Sequence, residues 1–181
     1  MNPADLEKLK YPVGKFIAPE EYSNSLRQEW IEIIAKFPER IAKLTESLSI
    51  DQLNWRYRPD GWKIKQVVHH CADSHMNAFI RFKLALSENS PTIKPYLQSE
   101  WAKMADVDKA DIEDSLMILR GLHKRFFLLL DSMSDEDFKR TYIHPEYGQT
   151  YPLGQVAGMY AWHCSHHLGH IRQAIHHKGQ F

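Results

Sequence analysis

The chain has 181 residues, in which 23 Lys and Arg residues balance 23 Asp and Glu residues. This length fits one domain with a sizeable core, and the zero net charge gives no electrostatic signal for nucleic acid or an anionic membrane. The sequence also lacks a signal-peptide pattern, a C-x-x-C pattern and any apolar run near the ~20 residues of a membrane span. We therefore expect a single domain over residues 1–181, in a cytoplasmic protein that binds neither nucleic acid nor a membrane.

The first residues are predicted to form an arm that precedes a helical bundle. Residues 1–18 contain Pro3, Pro12 and Gly14, which break up regular structure, so we expect an extended or irregular arm. The helical bundle is expected to occupy residues 19–178.

The first long helix is predicted to begin near Pro19, because proline suits a first helical turn. Apolar residues then recur at the spacing of one helix face as far as Leu48. Pro38 interrupts this pattern, which does not decide between two helices and one bent helix. The following stretch, 49–61, includes Asn, Pro, Asp and Gly and is predicted to be a loop.

A long helix is predicted from Trp62 to Glu88, where no proline or glycine occurs after residue 61. When this helix is projected at 100° per residue, five polar residues fall within an arc of about 100°. The residues of this polar stripe are His70, Asp73, Ser74, Asn77 and Arg81.

Apolar residues flank the polar stripe, whereas a solvent-facing stripe would be wider and rich in Lys or Glu. Buried polar groups need partners, so the stripe indicates a shared interior ion or ligand. The alternative is an ordinary exposed helix face. His69 and His75 point away from the stripe and are interpreted as structural or exposed residues.

A long connection is predicted over 90–111, with a short helical turn around 99–104. Connections of this length are often functional, as lids over a site, or they simply cross the end of a bundle. The next helix, 111–133, has an apolar stripe that indicates core, and His123 beside it is interpreted as a packing or surface residue. One short helical turn is expected after Ser134, which resembles an N-cap.

Two short β-like runs around a turn predict a small hairpin within 139–152. The last helix is predicted over 153–178, with Gly179 as its C-cap. Four principal helices with one or two long crossings predict an all-α fold, a four-helix bundle.

The stretch WHCSHHLGHI, in the last helix, contains four of the eleven histidines. His163 and His167 are four residues apart, as are His166 and His170. On a helix, residues at this spacing lie on one face with Cβ atoms ~5–6 Å apart, so either pair is suited to binding one metal ion. Spacing alone does not choose between the two pairs, and the alternative is a histidine-rich surface turn.

Metal sites in helical bundles are built from side chains that project inward from facing helices. His70 is the one strong ligand on the polar stripe, and with His163 and His167 it would supply three neutral imidazoles. Three protein ligands leave a coordination position open, which is typical of a catalytic site. A divalent metal held there would acidify bound water or stabilise a thiolate.

Three other residues of the polar stripe are candidate catalytic residues. Asp73 follows His70 by about one helical turn, where its carboxylate would accept a hydrogen bond from a ligand imidazole or from the metal-bound water. Asn77 and Arg81 would orient an anionic or carbonyl-bearing substrate. The alternative for each of them is a satisfied interior polar pair.

The segments HHCADSHMNAFIRFKLAL, WHCSHHLGHI and YPVGKF resemble the YfiT-like proteins of the DinB superfamily, over nearly the whole chain. The resemblance implies a four-helix bundle with up-down-down-up topology, often a homodimer. It also implies a centre of three histidines that binds Zn²⁺ or Ni²⁺, and the matching residues are His70, His163 and His167. The activity implied is that of a metal-dependent hydrolase, or of an S-transferase that uses a low-molecular-weight thiol such as bacillithiol.

The leading hypothesis is therefore a metal-dependent enzyme, a hydrolase or a thiol S-transferase, that acts on a small molecule. A second hypothesis is a metal-binding or sensing protein without chemistry, which would use the same ligands but need no open coordination position. A third is an all-helical interaction domain in which the histidines are incidental. The two cysteines, Cys71 and Cys164, are interpreted as buried small apolar residues.

Overall fold

The computed structural model of the protein describes residues 2–181. Over these residues the chain forms helices and one antiparallel pair of strands. In chain order the elements are α1 (Pro3–Lys10), α2 (Asn24–Thr45), α3 (Ile50–Leu53), α4 (Ile64–Ser87), α5 (Gln98–Trp101), α6 (Ala105–Lys109), α7 (Ile112–Asp131), α8 (Asp135–Lys139), β1 (Thr141–His144), β2 (Gln149–Pro152) and α9 (Leu153–His176).

Four long helices, α2, α4, α7 and α9, form the bundle. Helix α2 packs against α7 and α9, and α4 packs against the same two helices from the other side. The strands β1 and β2 pair in register from Thr141 opposite Pro152 to His144 opposite Gln149. The predicted four-helix bundle with up-down-down-up topology, and the hairpin before the last helix, are both confirmed. Within residues 2–181, no helix combines the length and the apolar character that crossing a membrane requires.

The N-terminal segment differs from the prediction. Helix α1 occupies Pro3–Lys10, so the expected extended or irregular arm over 1–18 is wrong for these residues. The side chain of Asn2 accepts a hydrogen bond from the backbone N–H of Asp5, at 2.9 Å, and so caps the helix. Pro3 stands at the first helical position, where its missing N–H costs nothing. Residue 1 lies outside the described residues.

The first bundle helix begins later than predicted, at Asn24 rather than near Pro19, because Ser23 caps it by accepting from the N–H of Leu26 at 3.1 Å. Helix α2 is one continuous helix with Pro38 inside it. A proline offers no N–H to the carbonyl four residues earlier, so the carbonyl of Ile34 has no partner within the helix.

The buried core lies between the four bundle helices and is mostly aromatic and branched aliphatic. Its largest fully buried side chains are Phe37, Phe82, Phe126, Phe138, Ile31, Ile34, Ile41, Ile64, Leu119, Leu130, Leu153 and Leu168. Small residues on α9 let α2 and the segment before it approach closely. A Cβ atom at Gly154 would lie 1.5 Å from the hydroxyl oxygen of Tyr22, and one at Gly158 would lie 3.1 Å from the indole of Trp30.

We expect Gly154→Ala to destabilise the protein by ~1–3 kcal/mol, because the ring of Tyr22 has to leave its place to admit the new methyl group. The matched control is Gly121→Ala in α7, where a Cβ atom meets nothing within 4 Å and where alanine in a helix should gain ~0.5–1 kcal/mol. Urea unfolding followed by circular dichroism measures both changes. Equal stability of the two variants would contradict this packing.

Candidate metal centre

Two bundle helices bring three histidines together. Helix α4 carries His70, and α9 carries His163 and His167 one turn apart on the same face. The Nε2 atom of His163 lies 3.3 Å from Nε2 of His70 and 3.1 Å from Nε2 of His167. Two nitrogens that are ~2.05 Å from one tetrahedral ion are separated by ~3.3 Å, so these distances suit one coordination sphere.

The three imidazoles are held in the neutral form that binds metals. His70 and His167 are buried and His163 is half-buried. Burial lowers the pKa of His70 to about 4, and burial together with the neighbouring histidines holds the pKa of His163 and of His167 well below its ordinary value. The indole of Trp62 packs on the ring of His70, with centroids 4.8 Å apart. The residues present therefore fit a divalent transition metal.

Other histidines stand behind the three candidate ligands. His163 Nδ1 lies 3.0 Å from His75 Nε2, and His75 Nδ1 lies 2.7 Å from Nε2 of His123. The interpretation of His75 as a structural or exposed residue missed its contact with a candidate ligand. On a helical projection His75 lies about 140° from His70, so it falls outside the arc of the polar stripe. His69 is structural, since its Nδ1 lies 2.8 Å from Oγ of Ser115.

The rival pair, His166 and His170, forms a second cluster of possible metal ligands together with His167. The ligand atoms of these three residues lie within 4.8 Å of one another. His166 stacks on Trp162, with centroids 4.4 Å apart. Among residues 2–181, its buried Nδ1 has no hydrogen-bond partner. His170 stacks on Tyr57, with centroids 3.7 Å apart.

Asp73 and Asn77 make no hydrogen bond with the three candidate ligands. The amide of Asn77 donates to the backbone carbonyl of Asp73 at 2.9 Å. Burial, with a smaller contribution from the carboxylate of Asp106, raises the pKa of Asp73 to about 6. His75 lies behind His163 and His170 lies behind His167, so Asp73 is not the partner of either of these two imidazoles.

Two cavities meet at His163. The first, of about 500 Å³, is lined by all three candidate ligands and by Tyr57, Arg58 and Trp62. The second, of about 580 Å³, is lined by Arg81, Tyr96, Tyr142, Tyr160 and His163. Gln98 and Ser99 line both cavities, so the long connection between α4 and α7 forms part of both walls.

Arg81 projects into the second cavity from the polar stripe. Its Nε atom is buried and, among residues 2–181, has no hydrogen-bond partner. A buried guanidinium N–H needs an acceptor, and the phenols of Tyr142 and Tyr160 lie beside this guanidinium. Of the three candidate catalytic residues, Arg81 is thus the one that lines a cavity beside the candidate ligands.

The two cysteines are buried and free. Burial raises the pKa of Cys71 and of Cys164 well above the ordinary value, so both remain thiols. Both belong to the hydrophobic core, which agrees with their interpretation as small apolar residues.

The fold and this site define a helical-bundle protein with a candidate three-histidine metal centre. A family model described as the DinB superfamily matches residues 33–171. A Bacillus cereus (strain 03BB102) protein named "Putative metal-dependent hydrolase" is 44% identical over 166 residues, which cover 92% of this chain and 95% of the relative. YfiT of Bacillus subtilis (strain 168), which has the same description, is 39% identical over 91% of this chain and 93% of its own. The chain belongs to the YfiT-like family of the DinB superfamily.

Solved structures agree with this assignment. The structure of YfiT from Bacillus subtilis, described as an unusual four-helix bundle topology, is 38% identical and has a TM-score of 0.92, covering 95% of this chain and 98% of that chain. A mycothiol-dependent maleylpyruvate isomerase has a TM-score of 0.58 at 12% identity, covering 77% of this chain and 60% of that chain. The isomerase shares the fold alone.

We expect the metal-free protein to lose stability steeply as the pH falls below about 6.5. Burial lowers the pKa of His70, His123 and His166 to about 4 and that of His170 to about 3. The unfolded chain binds protons to these residues at higher pH than the folded chain does, so their contribution is present above 6.5 and is lost as the pH falls through this window. One pH unit below 6.5, each such histidine should cost ~1.4 kcal/mol.

Urea unfolding in the presence of a chelator, at pH values from 7.5 to 4.5, measures this loss. A free energy of unfolding that stays flat between pH 7 and pH 5 would contradict the burial of neutral histidines.

Proposed function

We propose that this protein is a divalent-metal-dependent enzyme that acts on a small molecule, with His70, His163 and His167 as the metal ligands. One observation carries the proposal. The Nε2 atoms of three neutral imidazoles converge at separations suited to one ion, at a point where two cavities meet. The alternatives, a metal-binding protein without chemistry and an interaction domain, offer no reason for cavities beside the ligands.

The three ligands would leave coordination positions open for a nucleophile or substrate. When bound, a divalent ion acidifies a nucleophile toward neutral pH and polarises a substrate oxygen. Three imidazoles accept either Zn²⁺ or Ni²⁺, because sites with this donor set select metals by availability as much as by affinity.

The chain's own residues would bind and orient the substrate. The guanidinium of Arg81 offers a buried, unpaired N–H to an anionic or carbonyl-bearing group in the second cavity. Burial raises the pKa of Tyr142 and of Tyr160, so the two phenols keep their protons. The hydroxyl of Tyr160 donates to the backbone carbonyl of Ser74 at 3.3 Å, and that of Tyr142 would be a donor to the substrate. A role for Asp73 as proton acceptor and for Asn77 as orienting group stays a prediction.

Hydrolysis is the first candidate reaction. The relatives at 39% and 44% identity are named as metal-dependent hydrolases, and water needs no binding site of its own. In this reaction one cavity would hold the substrate, and the ligands would stand beside the bond that is cleaved.

Transfer to a low-molecular-weight thiol is the second candidate, and the pair of cavities favours it. A transferase has to hold a thiol and an electrophile on either side of one reacting centre, and the two cavities share His163. Lys10 and Arg58 line the first cavity, where their positive charges suit the carboxylates of a small thiol. Assembly as a homodimer stays a prediction of the family resemblance.

We expect protein purified without a His-tag to bind one divalent ion per chain, and the double substitution His163→Ala, His167→Ala to remove both the ion and all turnover. Elemental analysis measures the metal. Activity is measured on panels of esters and amides, and separately with a thiol and a haloaromatic electrophile, after loading with Zn²⁺ or Ni²⁺. The control is His176→Ala, His177→Ala, a double substitution of exposed residues at the end of α9.

If the variant His163→Ala, His167→Ala keeps its metal content, the histidines are incidental and the hypothesis of an all-helical interaction domain is favoured. Stoichiometric metal without turnover in any panel would leave the metal-binding protein without chemistry.

We expect Arg81→Met to raise the KM of an anionic substrate by about 10- to 100-fold, since a hydrogen bond to a charged group contributes ~1.5–3 kcal/mol. Turnover of a neutral analogue should change little, because Arg81 is assigned to binding rather than to chemistry. Steady-state kinetics with both substrates measure the difference. The control is Arg172→Met, an exposed position on α9, and equal effects of the two substitutions would refute the role of Arg81.

A further inference from the structure

Two chains of histidines run from the candidate ligands to backbone carbonyl groups. The first histidine chain passes from His163 through His75 and His123 to the carbonyl of Ile34. The second histidine chain passes from His167 through His170 to the carbonyl of Lys10. A neutral imidazole has one N–H donor and one lone-pair acceptor, so a chain that ends on a carbonyl has only one consistent arrangement of protons.

The end of the first histidine chain is set by Pro38. This proline leaves the carbonyl of Ile34 without its helical partner, and Nδ1 of His123 lies 2.6 Å from that oxygen. A carbonyl oxygen only accepts, so the proton of His123 is on Nδ1. Burial lowers the pKa of His123 to about 4, and the ring is therefore neutral with a lone pair on Nε2.

The position of the proton on His123 determines the positions of the protons on His75 and His163. The lone pair of His123 Nε2 accepts from Nδ1–H of His75, at 2.7 Å. His75 is 1% exposed and its ring nitrogens contact only other imidazoles, so its ring is neutral. Its Nε2 is then an acceptor and receives Nδ1–H of His163, at 3.0 Å. His163 is then left with a lone pair on Nε2, the atom that faces His70 and His167.

The second histidine chain also leaves a lone pair on Nε2 of its ligand, His167. Its intermediate residue, His170, carries its proton on Nε2 rather than on Nδ1. Nε2 of His170 lies 3.1 Å from the carbonyl oxygen of Lys10, at the end of α1, and so carries the proton. Its Nδ1 is then an acceptor, and it lies 3.4 Å from Nδ1 of His167. His167 donates from Nδ1 and keeps its lone pair on Nε2.

Aromatic neighbours hold these rings in place. The ring of Phe37 packs on His75 and on His123, with centroids 5.1 and 5.6 Å apart. The ring of Tyr57 stacks on His170 at 3.7 Å. The intermediate histidines are therefore fixed in orientation as well as in protonation.

We propose that the backbone carbonyls of Ile34 and Lys10 fix the tautomers of His163 and His167, so that both present an Nε2 lone pair to one divalent cation. His75, His123 and His170 are positioning residues in this account, which rests on the proposed metal site. Because Nδ1 of His167 carries a proton, it is not a ligand for a second ion, and the group of His166, His167 and His170 is not a second metal site.

The tautomers are measured by NMR of protein labelled with ¹⁵N in histidine, with a chelator and again with one equivalent of Zn²⁺. Resonances are assigned by single His→Gln substitutions. The expected form is Nδ1–H for His75, His123, His163 and His167 and Nε2–H for His170, in both samples. An Nε2–H form of His75 or His123, an Nδ1–H form of His170, or a second equivalent of Zn²⁺ bound to α9 would overturn the proposal.

Zinc affinity, measured by competition with a chromophoric chelator, tests the effect of the first histidine chain on the ligands. His75→Leu should weaken binding by about 10- to 100-fold, the usual effect of losing the partner of a ligand imidazole. His75→Gln should recover most of this loss, because its amide oxygen accepts from Nδ1–H of His163. The matched control is His69→Leu, a buried histidine of α4 whose partner is Ser115, and it should leave the affinity unchanged.

Equal losses with leucine and glutamine at position 75, or no loss with either, would overturn the proposal. If wild-type protein binds neither Zn²⁺ nor Ni²⁺ while the tautomers are as expected, the proposed function fails and the assignment of protons stands. The two failures are therefore distinguishable.

Discussion

The centre of this bundle depends on how protons are shared among buried histidines. Eight imidazoles lie in or beside the contact of α4 with α7 and α9, and burial keeps them neutral (His69, His70, His75, His123, His163, His166, His167 and His170). Neutral imidazoles cannot all accept or all donate. The Nε2 atoms of His163 and His167 lie 3.1 Å apart. A cation held by them and by His70 would satisfy the lone pairs that the proposed tautomers leave there, which links the packing of the bundle to its proposed chemistry.

Features far from the site determine this arrangement. Pro38 frees a carbonyl on α2, and the carboxyl end of α1 supplies another. Helix α1 is held against the bundle by α9, since Gln173 donates to the carbonyl of Leu9 at 3.0 Å and His170 contacts that of Lys10. The small residues Gly154 and Gly158 bring α2 close to α9. The N-terminal helix and the first bundle helix thus contribute to the site without supplying a ligand.

Much of the fold follows from the sequence, because four long apolar patterns and a turn between two β-like runs each predict one local structure. Helix α1 was missed because Pro3 was interpreted as a break in regular structure rather than as the first helical residue after an Asn N-cap. The pairs His163/His167 and His166/His170 have the same spacing, so the choice between them required the family resemblance. The structure adds that His163 and His167 are the pair whose nitrogens approach His70. The contact between His75 and His123 joins residues 48 positions apart, which no helical periodicity indicates. For this reason the sequence did not reveal His75 as a partner of His163, and the role expected of Asp73 stays a prediction.

X-ray absorption spectroscopy at the metal edge of Zn²⁺-loaded protein tests the central claim most directly. The account predicts three imidazole nitrogens at ~2.0–2.1 Å and at least one further light-atom ligand that exchanges when a small thiol or anion is added. A sulfur ligand at ~2.3 Å in the protein alone would implicate Cys71 or Cys164. That result, or a closed shell of four protein ligands that no added molecule perturbs, would contradict an open centre of three histidines.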